Sequence, residues 1–359
     1  MTDAAWTLRI EHFYEREFDD ADPQGSVARM RELIAGRPEG DAEALFELAG
    51  VHDSLGLEED AIPLYRRALE AGLEGPSALR APIQLASSLR NVGASGEAVS
   101  ILEAMPDAGS DEGARQAFLA LALHDEGRHG DALRTALLAL IPTLDGYKRS
   151  LTEYAAELPG SVPPSSGCAD GLPEEPVAPA AEAGSTSLEE ELDRILAERD
   201  RDAMQPTIDA LLPLHATHPD NARVLYEVGG AYDTAGQEDL ARSFYEQALA
   251  AVLEGDLLRR CYLQYGSTLR NLGEHDASLQ VFARAREAFP ESPALKVFEA
   301  ISLHAAGRSN ASIASLLDLA ARFISMPDIE RYIPAIRGDA AFIRSMSEPD
   351  SQRDDCTPV

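Results

Sequence analysis

From residue 42 onward, stretches in which apolar residues recur every three or four positions alternate with breaks centred on glycine. Leu45, Leu48, Ala49 and His52 fall at i, i+3, i+4 and i+7, the single stripe of an amphipathic α-helix. After Gly56 a second stripe follows, made of Ala61, Leu64, Tyr65, Ala68 and Leu69. Glycine suits the break because it accepts the left-handed backbone that ends a helix. The breaks recur at Gly56, Gly93 and Gly127, at spacings of 37 and 34 residues, and again at Gly236, Gly273 and Gly307. Small residues at Ala49, Gly229, Ala61 and Ala241 let paired helices approach closely. The pattern predicts an all-α chain of helix–turn–helix units.

The chain also contains itself. Shifted by 180 residues, LFELAGVHDSLGLEEDA (45–61) lies over LYEVGGAYDTAGQEDLA (225–241), and LASSLRNVG (85–93) over YGSTLRNLG (265–273). Without a gap, 21 of 49 residues between 45 and 93 are identical to their counterparts. Residues 159–187 are dominated by proline, glycine, serine, alanine and acids, the composition of a linker that builds no core. The expected organisation is a first domain at 1–158, a flexible linker at 159–187, a second domain at 188–346 and a polar tail at 347–359. Helices at 3–18, 26–36, 188–201 and 206–217 are expected to flank the repeats, with capping helices at 146–158 and 329–345. Such caps close a stack whose last unit has no neighbour.

Composition narrows the function classes. With 62 acidic against 31 basic residues the net charge is −31, which repels phosphate backbones and anionic membrane surfaces. Nucleic acid and membrane partners are therefore not expected. Lys148 and Lys296 are the only lysines, a skew towards arginine read as high-GC bacterial coding. Cys168, Cys261 and Cys356 lack metal-ligand spacing and cannot all pair, which fits a reducing compartment. The N-terminal stretch carries acids within its apolar run and is no signal peptide, and no apolar run approaches a membrane span. The expected address is cytoplasmic, where the Asn310-Ala311-Ser312 sequon is without meaning.

The runs DSLGLEEDAIPLYRRALEAGL, QLASSLRNVG and FLALALHDEGRHGDAL, repeated as DTAGQEDLARSFYEQALAAVL, QYGSTLRNLG and FEAISLHAAGRSNAS, resemble the bacterial tetratricopeptide repeat group 5 domain. The resemblance covers roughly 25–158 and 205–345. It departs from itself in the third repeat of the second copy, where Ser312 stands for Ala132. It implies two tetratricopeptide-type solenoid domains and no enzyme activity or cofactor.

In such stacks the first helix of each pair lines the concave surface. Residues offset from the buried stripe then face a groove: Arg80, Ile83, Ser87, Arg90 and Asn91 in the first copy, and Arg260, Leu263, Ser267, Arg270 and Asn271 in the second. Four of these five are identical between copies, although exposed polar residues drift readily after a duplication. The same column holds Asp53 and Asp233 one repeat earlier and His124 and His304 one repeat later. Three readings of this Asp–Arg–His row stand side by side. It is a structural network in which Asp53 binds Arg90 and His124 closes the set. Or the arginines take a carboxylate or peptide carbonyls in parallel hydrogen bonds, with Asn91 and Ser87 orienting the ligand. Or His124 serves as a catalytic base, although no activated nucleophile accompanies it.

Phe46, Tyr226, Ile83 and Leu263 are the apolar residues expected to flank the arginines on a partner-binding face. Tyr65 and Tyr245 read as core, as does Trp6 against the first repeat. His215, His218 and Asp220 have metal-like spacing, but the first copy carries Ala35 and Pro38 in place of the two histidines, so no shared metal site follows. The expected function is a non-catalytic module that binds a protein or peptide segment in two grooves. The alternative is a small-molecule or regulatory domain with a polar Asp–Arg–His pocket.

Overall fold

A computed structural model describes residues 3–106, 109, 112–144, 146–158, 187–323 and 333–346. Residues 159–186 and the tail from 347, with Cys168 and Cys356, lie outside the described residues. Every regular element among those described is helical. The chain divides into two compact units, Met1–Ser161 with Leu316–Ser345, and Val162–Ser315 with Met346–Val359.

In the first unit α1 (Asp3–Arg16) and α2 (Pro23–Ile34) precede three helical pairs. These are α3 (Ala42–Ser54) with α4 (Glu58–Glu70), α5 (Gly75–Asn91) with α6 (Ser95–Ala104), and α7 (Glu112–Asp125) with α8 (His129–Leu140). Helix α9 (Lys148–Glu157) then packs on α8. In the second unit α10 (Leu188–Ala197) and α11 (Gln205–Thr217) lead into α12 (Ala222–Thr234) with α13 (Glu238–Ala250), and α14 (Gly255–Asn271) with α15 (His275–Ala288). Helix α16 (Pro293–Ala305) follows, then α17 (Ser309–Phe323), whose residues from Leu316 onward belong to the first unit, and, within the first unit, α18 (Ile333–Ser345).

Several helix starts, α3, α10 and α12 among them, are fixed by side-chain caps. The Asp41 carboxylate accepts the Ala44 N–H, and Asn221, its counterpart, accepts that of Val224, each satisfying a backbone donor that the helix leaves orphaned. Ser187 and Glu190 form a reciprocal capping box ahead of α10. The ends are equally regular. Gly56 adopts φ 71°, its N–H bonds to the Asp53 carbonyl at 3.0 Å, and the Leu57 N–H reaches the His52 carbonyl at 2.9 Å. This Schellman arrangement recurs at each of the glycines that punctuate the pattern, and it needs a residue free to enter the left-handed region.

The first helices touch one another directly, α3 on α5 and α5 on α7 in one unit, α12 on α14 and α14 on α16 in the other. The second helices stand farther apart, α4 and α6 being spanned by the long Arg66–Glu97 ion pair at 2.6 Å. Each stack therefore curves with its first helices on the inner side. The core lies between the paired layers, with Tyr65 and Tyr245 fully buried and Trp6 packed on Ala44, Leu48 and Val51. Asn310 and Ser312 are also buried, so the sequon is closed inside the fold, where the Ser312 hydroxyl donates to the Ala300 carbonyl.

Small changes between the copies compensate one another. A Cβ built on Gly266 would lie 2.6 Å from the ring of Phe282, so the ring fills the space a side chain would need. The corresponding residues in the first copy are Ala86 and Leu102, one larger and one smaller.

Candidate functional site

The Asp–Arg–His row has one backbone address. Asp53, Arg90, His124, Asp233, Arg270 and His304 each sit three residues before a turn glycine and accept that glycine's N–H on their own carbonyl. In the first copy, however, Asp53 and Arg90 do not pair as expected.

Asp53 does not meet Arg90. Its carboxylate accepts the Ser88 hydroxyl at 2.7 Å and the Tyr65 hydroxyl at 3.3 Å, joining α3, α4 and α5. Asp233 repeats this, accepting Thr268 at 2.9 Å and Tyr245 at 3.3 Å. Burial pushes both carboxyls up to about 6, although the hydroxyl donors pull the other way by favouring the ionised form. The arginine at the neighbouring address turns away from Asp53 because two acids claim it. Arg90 Nε donates to Asp125 Oδ2 at 2.5 Å, and its two terminal nitrogens donate to the two oxygens of Asp339 in α18 at 3.0 Å each. The Arg90 side chain is 6% exposed. Burial opposes its charge, but Asp339 and Asp125 more than offset that and hold its pKa above the ordinary value.

His124 is buried, and its Nδ1 lies 3.2 Å from Nδ1 of His129, so the imidazole faces its own helical pair. His304 is half-buried in the second unit. Asn91 is exposed and donates to Glu58 at 3.1 Å, whereas Asn271 accepts from Arg270 at 3.2 Å. Ser87 is half-buried, and the Ser267 hydroxyl bends back to the Leu263 carbonyl. Arg80 and Arg260 are half-buried; the Arg260 guanidinium lies 5.9 Å from the centre of the Tyr226 ring. Its charge also partly offsets the burial that raises the Glu227 pKa.

The apolar flank read from the sequence is corrected here. Phe46, Tyr226, Ile83 and Leu263 are at most 5% exposed and belong to the core. The inner face thus presents arginines and short polar side chains without large apolar neighbours from this set. A separate cavity of about 380 Å³ lies at the other end of the first unit, lined by Ala5, Arg9, Glu17, Arg29, Glu32 and Leu33. Among the described residues no group of three or more His, Cys, Asp or Glu side chains is placed to hold a metal ion. No helix among them is long and apolar enough to cross a membrane.

The sequence singled out Asp53, Arg90 and their counterparts but missed the hydroxyls that hold the two aspartates. Ser88 and Thr268 differ in residue type, yet the exchange preserves the hydroxyl, and that was the available signal. A profile of the tetratrico peptide repeat family matches residues 42–158 and 222–336, one match in each copy. The chain belongs to the tetratrico peptide repeat family.

Solved structures similar to this tetratrico peptide repeat protein include a thermophilic repeat protein from Thermus thermophilus. It is 17% identical, with 73% of this chain and 99% of that one covered and a TM-score of 0.25. The TPR2AB-domain of yeast Sti1, solved as a pHSP90 complex, is 14% identical over 84% of this chain and 98% of its own, with a TM-score of 0.26. A tetratricopeptide repeat protein from Parabacteroides merdae is 13% identical over 82% of this chain and 96% of its own, with a TM-score of 0.30. No curated protein matches the chain.

Proposed function

We propose that the protein is a non-catalytic interaction module whose inner helical faces take a carboxylate-bearing segment of a partner protein. The observation that carries this reading is the geometry at Arg90, where a planar guanidinium donates to both oxygens of one carboxylate in two parallel 3.0 Å hydrogen bonds. That is the mode by which arginine recognises carboxylates with orientation as well as charge. Arg80, Ser87 and Asn91 on α5, and Arg260, Ser267, Arg270 and Asn271 on α14, supply the remaining polar contacts. Asp53 and Asp233 hold neighbouring helices in register beneath that face, and His124 and His304 mark its third rung. Two such faces on one chain add avidity towards a partner with two sites.

The test is capture from native lysate on the immobilised full chain, compared with an Arg80→Ala/Arg260→Ala double variant. These half-buried arginines are preferable to Arg90, whose loss would strand two carboxylates. Expected is a defined set of proteins retained by the wild type and lost by the variant at unchanged melting temperature. Recovery of the same set by both forms overturns the reading.

A further inference from the structure

Two acids hold Arg90, Asp125 from the first copy and Asp339 from the second. The residue corresponding to Asp125 is Ala305, yet the arginine itself is retained as Arg270. The arginine is thus kept where Asp125 is not, and at Arg90 the second carboxylate, Asp339, is an occupant brought by α18. That occupant is a helix of particular design. Ile336, Ala340 and Ile343 are buried at 0–1% exposure along one stripe of α18, and Asp339 sits on that stripe beside Ala340. The opposite side carries Arg337, Ala341 and Arg344, all exposed, and Phe342 at 63% exposure. Asp339 keeps 20% of its side-chain surface exposed, so the pair lies at the edge of the buried stripe and not deep within a core.

Sequence order adds to the contrast. The helix that ends the first copy, α9, packs on α8 of its own copy. Helix α18, at the matching place in the second copy, instead reaches an arginine 249 residues away in sequence, in addition to an Arg344–Asp318 ion pair with α17. A seat made by one fork of hydrogen bonds and a short apolar stripe is readily contested by a helix of the same design.

We propose that α18 is an in-chain ligand of the first unit. It is an acid-bearing amphipathic helix seated on the Arg90 guanidinium, and an amphipathic helix of a partner with one carboxylate in its apolar stripe takes the same seat in its place. Partner binding and α18 seating are then mutually exclusive, and the tether makes α18 a standing competitor through its high effective concentration. This rests on the interaction reading above and names both the class of partner and its regulation.

The experiment uses the full chain and, as probe, a fluorescently labelled peptide of residues 329–346, with anisotropy as the readout. In the Asp339→Arg chain the charge repels Arg90 and opens the seat, so this chain binds the wild-type peptide at least about tenfold more tightly than the wild-type chain does. Asp339→Asn, which removes the charge with little change of shape, moves binding in the same direction by less. A peptide carrying Asp339→Arg binds neither chain. Hydrogen exchange of the 333–345 amides is read in parallel and shows faster exchange in Asp339→Arg than in wild type. Equal peptide binding by wild type and both variants, or unchanged exchange of those amides, overturns the proposal. The Arg80→Ala/Arg260→Ala capture experiment leaves α18 untouched, so failure of the interaction reading is seen separately from failure of this one.

Discussion

The Tyr65 hydroxyl stands 3.3 Å from Oδ2 of Asp53, and 180 residues later the Tyr245 hydroxyl stands 3.3 Å from Oδ2 of Asp233. A tyrosine buried for its bulk thus keeps its polar end satisfied by a carboxylate on the adjoining helix, as a buried hydroxyl requires.

These carboxyls make stability depend on pH in a defined direction. Each titrates near 6 in the folded chain and near 3.9 when unfolded. Between those values the folded state binds the proton and the unfolded state does not, so stability rises as pH falls from neutrality through 6, and the gain is complete below about 4. Urea denaturation should show about 1 kcal/mol more stability per site at pH 5 than at pH 7.5. The Asp53→Asn/Asp233→Asn variant should show that much less dependence; an unchanged slope would remove the aspartates as its source.

Removing the donors should act through the same carboxylate. Ser88→Ala takes away the 2.7 Å hydrogen bond and Tyr65→Phe the 3.3 Å one. Each should cost about 1–2 kcal/mol in chemical denaturation near pH 7.5, the price of a buried acceptor losing a partner. Both losses should shrink at pH 5, where Asp53 is protonated, and the double variant should depart from additivity because the two share one acceptor.

Two arginines at one repeat position should behave differently. Arg90→Ala leaves Asp125 and Asp339 facing each other and should cost about 3–5 kcal/mol. Arg270 is half-buried and Ala305 stands at the position of Asp125, so Arg270→Ala should cost less, about 1 kcal/mol. Equal losses in paired denaturation curves would contradict the assigned partners.

The contact between Gly266 and Phe282 predicts a compensating pair. Gly266→Ala should destabilise the second unit by about 1–3 kcal/mol through overpacking. Adding Phe282→Leu should recover most of it, since the double variant recreates Ala86 and Leu102 of the first copy. Melting curves of the single and double variants decide this.

Sequence made the helical pairs, the duplication and the turn glycines legible because each is a local or periodic property. It also located Tyr65 and Tyr245 in the core and drew attention to Asp53 and Arg90. It did not reveal whom those side chains hold. Asp53 lies 35 residues from Ser88 and Arg90 lies 249 from Asp339, and pairings at such separations leave no periodic trace. The apolar set Phe46, Ile83 and their counterparts failed for a related reason. A helix inside a stack is covered on both flanks, so its buried arc is wider than the single stripe that periodicity reports.

At each rung of the row the main chain is committed to closing its helix, because the residue's carbonyl is bound by the turn glycine. The side chain carries none of that duty. A substitution there can therefore rewrite what a rung contacts while the turn beneath it stays shut. After a duplication the two copies were free to acquire separate clienteles, one rung at a time, without passing through an unfolded intermediate sequence.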